Sequence, residues 1–225
     1  MTGESFGIII ILMKKILIAT TNPGKVMTAK KILEKLGYEG VSFEDLGIEL
    51  EEPEETKATA EEIAKEKAVG YAKQFKDFPV LARDDTNLLI GVDEEDDPKN
   101  HNKAFVAKRA GSYSDENGEK VFAEVAHKYG GEVPMHFDWG YALAWYDGEE
   151  IKVASALATT DPTRMKIVDK ISPKKVPGFC FAPVMQVLVN GEWKYDSELS
   201  EEDNWEAYWN IQAEAIKSLI EKCNY

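Results

Sequence analysis

Two adjacent carboxylates, Asp84 and Asp85, are the residues of this chain best suited to do chemistry. They follow an apolar run at residues 78–81, and apolar residues resume at Leu88. This pattern indicates a buried strand that delivers its acidic end to the edge of a cleft. Neighbouring carboxylates repel each other, so burying them requires a cation or basic groups, and oxygen ligands suit Mg²⁺. The alternative is an exposed turn with the sequence Asp-Asp-Thr-Asn.

A candidate phosphate site follows the first predicted strand, at residues 16–19. The polar turn TTNPGK, residues 20–25, comes next, and an amphipathic helix then continues to Gly37. Strand, polar turn and helix point backbone N–H groups and the positive end of the helix dipole at an anion, and Lys25 adds a charge. The turn lacks the glycine count and spacing of a Walker motif. Taken alone, it is explained equally well as a helix cap.

A second basic residue, Lys67, lies on a predicted helix at residues 59–75. Thr59 and Glu62 form a capping box there, and apolar residues form a stripe along one face. Lys67 lies one turn after Ile63, close to that stripe. It is either a ligand for an anion or a surface lysine whose aliphatic stem packs on the protein.

The rest of the chain predicts a mixture of helices and strands. Asp147-Gly148 and Asn190-Gly191 indicate hairpins, whereas the acidic run DEEDD at residues 93–97 is predicted to be a solvated loop. Two antiparallel hairpins among helices and strands predict an α/β fold with a mixed sheet. The further predicted strands are 41–48, 135–145, 151–157, 186–189 and 192–195, and the further helices are 117–129 and 201–223.

Composition restricts the class of protein. A chain of 225 residues with 44% hydrophobic content can bury a sizeable core, and its net charge of −14 argues against a nucleic-acid surface. The two cysteines form no C-x-x-C motif, which favours a reduced, cytoplasmic setting. The apolar run at residues 7–13 is too short to span a membrane, and no membrane partner is expected. We expect residues 1–12 to be an upstream extension or a leftover of cloning; a short extra strand is the alternative.

Five segments, in order from residue 20 onwards, resemble the inosine triphosphate pyrophosphatase family, which hydrolyses non-canonical purine nucleoside triphosphates. A single short match of this kind is weak evidence for a family, but five matches in the same order are specific to it. The family's T-G-N-x-G-K is matched at residues 20–25, its E-T-G-x-T-F-x-E-N-A-x-x-K-A at 55–68, its A-D-D-S-G-L at 84–88, its A-x-F-x-C-x-x-A-L strand at 135–143, and its G-F-G-Y-D-P at 178–183.

This resemblance implies a single two-lobed α/β domain over residues 13–225, with a long mixed sheet, a nucleotide cleft between the lobes and a homodimer. By position, Glu55 and Asp84 would hold Mg²⁺, and Asp85 would orient or deprotonate the attacking water. Water would attack the α-phosphorus and pyrophosphate would leave, so metal and lysines would offset the charge on the phosphate oxygens. The implied triphosphate ligands are Thr20, Asn22, Lys25 and Lys67.

The resemblance is weakest in the segments with which the family recognises the purine base. The aspartate of G-F-G-Y-D-P is replaced by Ala182, and the family's Ser-His-Arg in the last helix corresponds to residues 207–209. Arg83 is also unusual and either lowers the pKa of the aspartates or contacts a phosphate. A site with different polar groups discriminates differently, so we expect a base other than that of inosine or xanthosine triphosphate. The expected base-binding residues are Phe179, Asp203, Tyr208 and Trp209, with Phe179 stacking on the base.

We therefore predict a Mg²⁺-dependent nucleoside triphosphate pyrophosphatase that removes non-canonical or modified nucleotides from the nucleotide pool. Two alternatives remain open at this point. The first is a catalytically silent nucleotide-binding homologue, and the second is a phosphohydrolase that uses the same metal cluster on another phosphate compound. Nucleotide binding without turnover would favour the first, and a substrate panel separates the second.

Overall fold

A computed structural model of the protein describes residues 13–99 and 102–225. The expectation about residues 1–12 lies outside these residues. None of the helices in the described part is long and apolar enough to cross a membrane. The strands are β1 Lys15–Ile18, β2 Glu39–Val41, β3 Val80–Leu89, β4 Glu132–Asp147, β5 Glu150–Thr159, β6 Met165–Val168, β7 Met185–Val189 and β8 Glu192–Tyr195.

The described strands form one mixed sheet in the order β2-β1-β3-β4-β6-β7-β8, with β5 paired to β4. β1 is parallel to β2 and β3, and the other pairs are antiparallel. β4 is 16 residues long, and it pairs with β3 and β5 over most of its length but with β6 at its beginning. This one strand therefore joins the two halves of the sheet. The predicted α/β fold with a long mixed sheet is confirmed.

Helices cover both faces of the sheet. The larger core contains Ile32, Phe122 and Ile216 from helices on one face, and the smaller core contains Ala64 and Tyr71 on the other. β4 alternates between the two cores, as a strand buried on both faces must. The helices are α1 Pro23–Lys35, α2 Phe43–Leu46, α3 Ala60–Ala72, α4 Asn102–Ala110, α5 Asp115–Lys128, α6 Glu201–Asn204 and α7 Asn210–Cys223.

Local sequence signals fix several element ends as predicted. Thr59 Oγ1 accepts a hydrogen bond from the backbone N–H of Glu62 and begins α3. Gly37, with φ of 85°, follows the end of α1. Asn190 and Gly191 have φ of 51° and 82° and form the two-residue turn between β7 and β8, where positive φ matches the strand twist.

Two predicted elements are wrong in their extent. Residues 41–48 do not form a strand, because β2 ends at Val41 and Ser42 forms a capping box with Asp45 that begins α2. A short apolar run does not distinguish a strand from a single helical turn. The predicted helix at residues 201–223 is interrupted by a π-helical turn, Trp205–Trp209, between α6 and α7.

The acidic run at residues 93–97 is not entirely a solvated loop. Asp96 is only 2% exposed and accepts hydrogen bonds from Arg109, Lys128 and Tyr129. Burial by itself would raise the pKa of Asp96, but these three donors outweigh it and lower the pKa to about 2. The burial depends on partners in α4 and at the end of α5, which a local charge pattern does not reveal.

Gly140 allows α3 to pack closely against the sheet. A Cβ atom on Gly140 would lie 2.2 Å from the backbone carbonyl of Ala60, the first residue of α3. Gly140 is also the β4 residue paired with Asp84 of β3. A side chain at this position would push away the helix that carries Lys67.

We expect Gly140→Ala to lower the free energy of unfolding by about 1–3 kcal/mol, because the backbone of α3 must move to accept the methyl group. Urea unfolding measures this loss. Gly40→Ala is the matched control, since a Cβ there would meet the Cδ1 atoms of Ile18 and Leu33 at 2.9 Å, and these side chains can shift. Equal losses in the two variants would contradict a special role for the α3 contact.

Candidate active site

The free edge of β3 defines the candidate site. β1 pairs with β3 only at Val80 and Leu81, whereas β3 continues along β4 as far as Leu89. From β1 the chain leads through α1 to β2 on one side, and β3 lies on the other side. The strand order therefore reverses at this point, and open α/β sheets bind ligands in the crevice at such a point, beyond the carboxyl ends of the strands.

Asp84 and Asp85 lie within β3, so the prediction that the strand ends at this pair is wrong. Successive strand residues face opposite sides of the sheet. Asp84 accepts a hydrogen bond from Lys67 of α3 at 2.9 Å, on one side. Asp85 lies on the other side, 3.2 Å from Lys25 of α1 and 2.5 Å from Arg83. The pair does not form an exposed turn, because each carboxylate is part of a strand and has its own cation.

On the α3 side, Lys67 draws Glu55 and Asp84 together. Its Nζ atom lies 2.7 Å from Glu55 Oε1 and 2.9 Å from Asp84 Oδ1. Burial by itself would lower the pKa of Lys67, but the hydrogen bond to Glu55 and the charge of Asp84 raise it. The ammonium group therefore stays charged between two carboxylates, and the lone surface-lysine interpretation does not apply.

Glu55 and Asp84 fit a Mg²⁺ site in which the protein supplies only two carboxylate ligands. Their oxygens already converge on one cation, and Mg²⁺ commonly uses one or two carboxylates, completing its shell with water and substrate phosphates. Within residues 13–99 and 102–225, no group of three or more acidic, histidine or cysteine side chains could hold a metal by itself. The donor set thus suits a metal that arrives with a phosphate ligand.

On the opposite side, Asp85 belongs to a buried polar network. Arg83 Nη1 lies 3.2 Å from Gln212 Oε1, which also accepts a hydrogen bond from the Tyr141 hydroxyl at 2.5 Å. Burial by itself would raise the pKa of Asp85, but the charges of Arg83 and Lys25 outweigh it and hold the pKa at about 2. Asp85 is therefore a carboxylate at neutral pH, and its position is fixed through Arg83 by α7.

The turn between β1 and α1 acts as a helix cap, one of the two interpretations considered for it. Asn22 Oδ1 accepts hydrogen bonds from the N–H groups of Gly24 and Lys25 at 2.9 and 3.1 Å and so caps α1. Thr20 and Lys25 line a small cavity together with Arg83. Asn22 therefore holds the shape of the turn, and Thr20 and Lys25 lie at the start of the helix, where backbone N–H groups and the helix dipole favour an anion.

Two of the expected base-binding residues, Phe179 and Tyr208, flank an aromatic row. Phe179 lies 6.3 Å from Phe137, Phe137 stacks on Trp139 at 5.5 Å, and Trp139 meets Tyr208 edge-to-face at 5.7 Å between ring centroids. Trp139 is paired with Asp85 in the sheet, so the row begins beside the charged crevice. Phe179 is half-buried, whereas Tyr208 is buried.

The other two, Asp203 and Trp209, have local structural partners. Asp203 forms a capping box with Ser200 and pairs with Lys194 at 2.8 Å, and the hydrogen bond from Lys194 lowers its pKa. Trp209 is buried and packs on Trp205 within the π-helical turn. Neither residue lines the cavity beside Lys25.

Sequence reasoning missed Gln212 and Tyr141. Gln212 is 1% exposed and lies on the apolar face of α7, next to Ala213 and Ile216. A glutamine on the core face of an amphipathic helix was the available signal, since a buried amide needs a polar partner. Tyr141 belongs to the apolar alternation of β4, and its sequence context gives no sign of a polar role.

A larger cavity of about 680 Å³ lies between α1 and α2. It shares Thr20 with the site, but its two lysines already have acidic partners, Lys30 with Asp45 at 2.5 Å and Lys31 with Glu201 at 3.0 Å. Glu55, Asp84 and Asp85 do not line this larger cavity.

Fold and crevice define an α/β protein with a cluster of charged side chains at the reversal of its strand order. Residues 16–203 match the model of the Ham1 family, and the chain belongs to this family.

Two curated relatives, both named dITP/XTP pyrophosphatase, match this chain over different lengths. This chain is 39% identical to the protein of Bacillus subtilis over 117 residues, which are 51% of this chain and 55% of the relative. It thus spans about half the length of that relative. It is 32% identical to a dITP/XTP pyrophosphatase of Halalkalibacterium halodurans over 196 residues, which are 85% of this chain and 90% of the relative.

Solved structures show the same fold. The Staphylococcus aureus Ham1 protein superposes with a TM-score of 0.61 and 22% identity, covering 94% of this chain and 100% of that chain. A HAM1 protein from Coxiella burnetii also gives a TM-score of 0.61, at 19% identity, covering 93% of this chain and 100% of that chain. At these identities the likeness establishes the fold alone.

We expect Arg83→Met to lower the free energy of unfolding at pH 7 by about 1.5–3 kcal/mol, since Asp85 and Gln212 lose a charged partner in a buried network. The folded-state pKa of Asp85 is about 2, below the unfolded value of about 3.9, so this stabilisation is present above about pH 4 and is lost as the pH falls towards 2. Urea unfolding at pH 7, 5, 4 and 3 should show the difference between wild type and variant shrinking in that window.

Arg164→Met is the control for this experiment. Arg164 pairs with Glu206 at 3.2 Å and donates a hydrogen bond to the carbonyl oxygen of Leu188 at 2.8 Å, but both charged side chains are more than a third exposed, and such an ion pair contributes about 1 kcal/mol or less. An equally small loss in Arg83→Met, or a difference independent of pH, would contradict the buried network.

Proposed function

We propose that this protein is a Mg²⁺-dependent pyrophosphatase that hydrolyses a non-canonical or modified nucleoside triphosphate to the monophosphate and pyrophosphate. One observation carries the proposal: the acidic residues Glu55, Asp84 and Asp85 and the lysines Lys25 and Lys67 meet along the free edge of β3. Membership of the Ham1 family and relatives named dITP/XTP pyrophosphatase support this class of reaction.

The two lysines would bind the triphosphate from opposite sides of β3. Lys25 and Thr20 face the small cavity at the start of α1, and Lys67 lies beside Asp84. Phosphate oxygens would compete with the carboxylates for these ammonium groups, so substrate binding would release carboxylate oxygens. Glu55 and Asp84 would then hold Mg²⁺, which supplies positive charge to the phosphoryl oxygens when bound.

Asp85 would act on the attacking water. Its carboxylate is held on β3 by Arg83, and Arg83 is held by Gln212 of α7. A fixed acceptor can take a hydrogen bond from water and direct the oxygen towards the α-phosphorus, and it would accept the proton as the bond forms once phosphate oxygens have drawn Lys25 away from the carboxylate. The negative charge that develops on the phosphate oxygens would be offset by lysines that are already in place, so few side chains would have to move during the reaction.

We further propose a cytoplasmic homodimer that binds no nucleic acid. The net charge of −14 and the two free cysteines support the absence of a nucleic-acid partner and a reduced setting. β5 pairs only with β4 among the described strands and exposes Val153 and Leu157 by 40% and 49%. Such an edge strand can be covered by a second copy, and light scattering during size exclusion tests this.

The first test is pyrophosphate release from natural, deaminated and modified nucleoside triphosphates, with Mg²⁺ and with EDTA. We expect metal-dependent release, and we expect Asp85→Asn to reduce the rate by about 10²–10⁴-fold because the water loses its acceptor. Asp77→Asn, at an exposed position between α3 and β3, is the matched control and should keep the rate.

Three outcomes would contradict parts of this proposal. A folded protein that binds nucleotides without turnover supports the silent homologue, and release only from another phosphate compound supports the second alternative. Comparable turnover of inosine triphosphate with much poorer turnover of every other base would contradict the altered base preference.

Lys67→Met should lower kcat/KM by about 10²–10³-fold, because a positive charge placed for the triphosphate is lost. Lys65→Met is the matched control: Lys65 lies on the same helix, its side chain is 43% exposed, and it pairs only weakly with Glu61, at 3.6 Å. Steady-state kinetics of both variants measure the difference. Similar kinetics for the two variants would remove Lys67 from the site.

A further inference from the structure

Glu55 reaches the proposed metal site from a segment that forms neither helix nor strand, between α2 and α3. Residues 49–55 read ELEEPEE, so five of these seven residues are glutamates. Like charges repel one another, and such a run spreads into solvent unless other residues hold it. Among the described residues Glu55 forms one salt bridge, with Lys67 at 2.7 Å. Because phosphate oxygens would take over Lys67 in the proposed function, this ion pair cannot hold Glu55 once substrate is bound.

One face of α3 supplies the support that the acidic segment needs. Glu66, Gly70 and Gln74 recur every four residues along α3 and the turn that follows it, so they lie one above another on the same side. We call these three residues the α3 clamp. Residues 51–57 lie against them.

Glu66 binds the two residues that follow Glu55. Its Oε2 atom accepts hydrogen bonds from the backbone N–H groups of Thr56 and Lys57 at 2.8 and 3.2 Å, and its Oε1 atom accepts one from the hydroxyl of Thr56 at 2.5 Å. The hydrogen bonds from Thr56 hold the pKa of Glu66 below its ordinary value. The backbone next to Glu55 is therefore fastened to the helical turn that carries Lys67.

Gln74 and Gly70 hold the beginning of the same segment. The side-chain amide of Gln74 donates a hydrogen bond to the carbonyl oxygen of Glu51 at 2.9 Å and accepts one from its N–H group at 2.8 Å. A Cβ atom on Gly70 would lie 2.5 Å from Cγ of Pro53, so the proline ring can lie on the helix only where a side chain is absent. None of these contacts uses Lys67, and the α3 clamp therefore persists when that lysine turns to a phosphate.

We propose that Glu66 and Gly70 are positioning residues of the metal site, which hold residues 51–57 on α3 and keep Glu55 beside Asp84 when the triphosphate binds Lys67. The proposal rests on the proposed function, since it requires Glu55 and Asp84 to hold the metal. Removing residues that orient a metal ligand commonly weakens metal binding by about 10- to 100-fold. The α3 clamp orients its ligand through the backbone on either side of Glu55.

A purely structural role makes a different prediction. If the α3 clamp only fastened a loop, its loss would lower stability without changing the metal affinity of the folded protein. Gly70→Ala separates the two roles, because alanine favours a helix more than glycine does, while its methyl group would displace Pro53. Glu66→Gln separates hydrogen bonding from charge, since glutamine keeps an acceptor for the N–H groups and offers a donor to the Thr56 hydroxyl.

The test is a titration with Mn²⁺, alone and with inorganic triphosphate, followed through the relaxation rate of the water protons. Mn²⁺ shares the preference of Mg²⁺ for oxygen ligands. We expect Glu66→Ala and Gly70→Ala to raise the Kd for Mn²⁺ by about 10- to 100-fold, and Glu66→Gln to raise it by less than about 3-fold. The urea midpoint of Gly70→Ala should stay close to that of the wild type. In turnover, Glu66→Ala and Gly70→Ala should raise the Mg²⁺ concentration for half-maximal rate and leave kcat at saturating Mg²⁺ nearly unchanged.

Glu54→Ala is the matched control. Glu54 is an exposed glutamate next to Glu55 and, in the described part of the chain, forms no hydrogen bond with the α3 clamp, so the variant should keep the wild-type Kd. An unchanged Kd in Glu66→Ala and Gly70→Ala, or an equal rise in Glu54→Ala, would overturn the inference and leave the pyrophosphatase intact. Mn²⁺ binding that depends on the α3 clamp, without pyrophosphate release from any triphosphate, would keep the inference and reject the pyrophosphatase. A wild type that binds no Mn²⁺, with or without triphosphate, would overturn both.

Discussion

The compensation of two adjacent carboxylates on β3 is the constraint on which the rest of the site depends. Strand alternation sends Asp84 and Asp85 to opposite faces of the sheet, so one cation cannot serve both in the same way. Lys67 of α3 reaches Asp84 from one side, and Lys25 of α1 reaches Asp85 from the other. The two helical layers are thereby tied to one strand, at the point where that strand has a free edge.

The same arrangement explains how a charged site can be stable before substrate arrives. Each carboxylate is paired, and Arg83 adds a second cation that links Asp85 to α7 through Gln212. In the proposed function, phosphate oxygens would replace carboxylate oxygens around the lysines and exchange one set of charged hydrogen bonds for another. The free-energy cost of ordering these side chains would then be met largely by folding, before any substrate is bound.

β4 connects the charged side chains of β3 to the aromatic row. Gly140, without a side chain, admits α3 beside Asp84, while the neighbouring Trp139 faces the other layer and begins the aromatic row towards Tyr208. The π-helical turn Trp205–Trp209 interrupts the terminal helix where it contributes Tyr208 to that row. Such turns frequently occur at functional sites, because they reorient side chains within a helix.

Several features of the fold follow from short-range physics and were predictable from the sequence. A threonine cap begins α3 at Thr59, positive φ at Asn190-Gly191 closes a hairpin, and the apolar alternation of β4 requires a strand. Residues 41–48 were predicted wrongly because one helical turn and a short strand share the same apolar spacing. The capping box at Ser42 and Asp45 was the stronger local signal there.

The sequence by itself determined most of the longer elements, the mixed sheet and the family, because caps, turns and periodicity act between residues close in the chain. Only the tertiary structure decided which charges are buried and what compensates them. Asp96 is buried because α4 and α5 bring it donors, and Asp85 is fixed because Gln212, far along the chain, holds Arg83. The stability of a buried charge depends on distant partners, and a local pattern does not contain them.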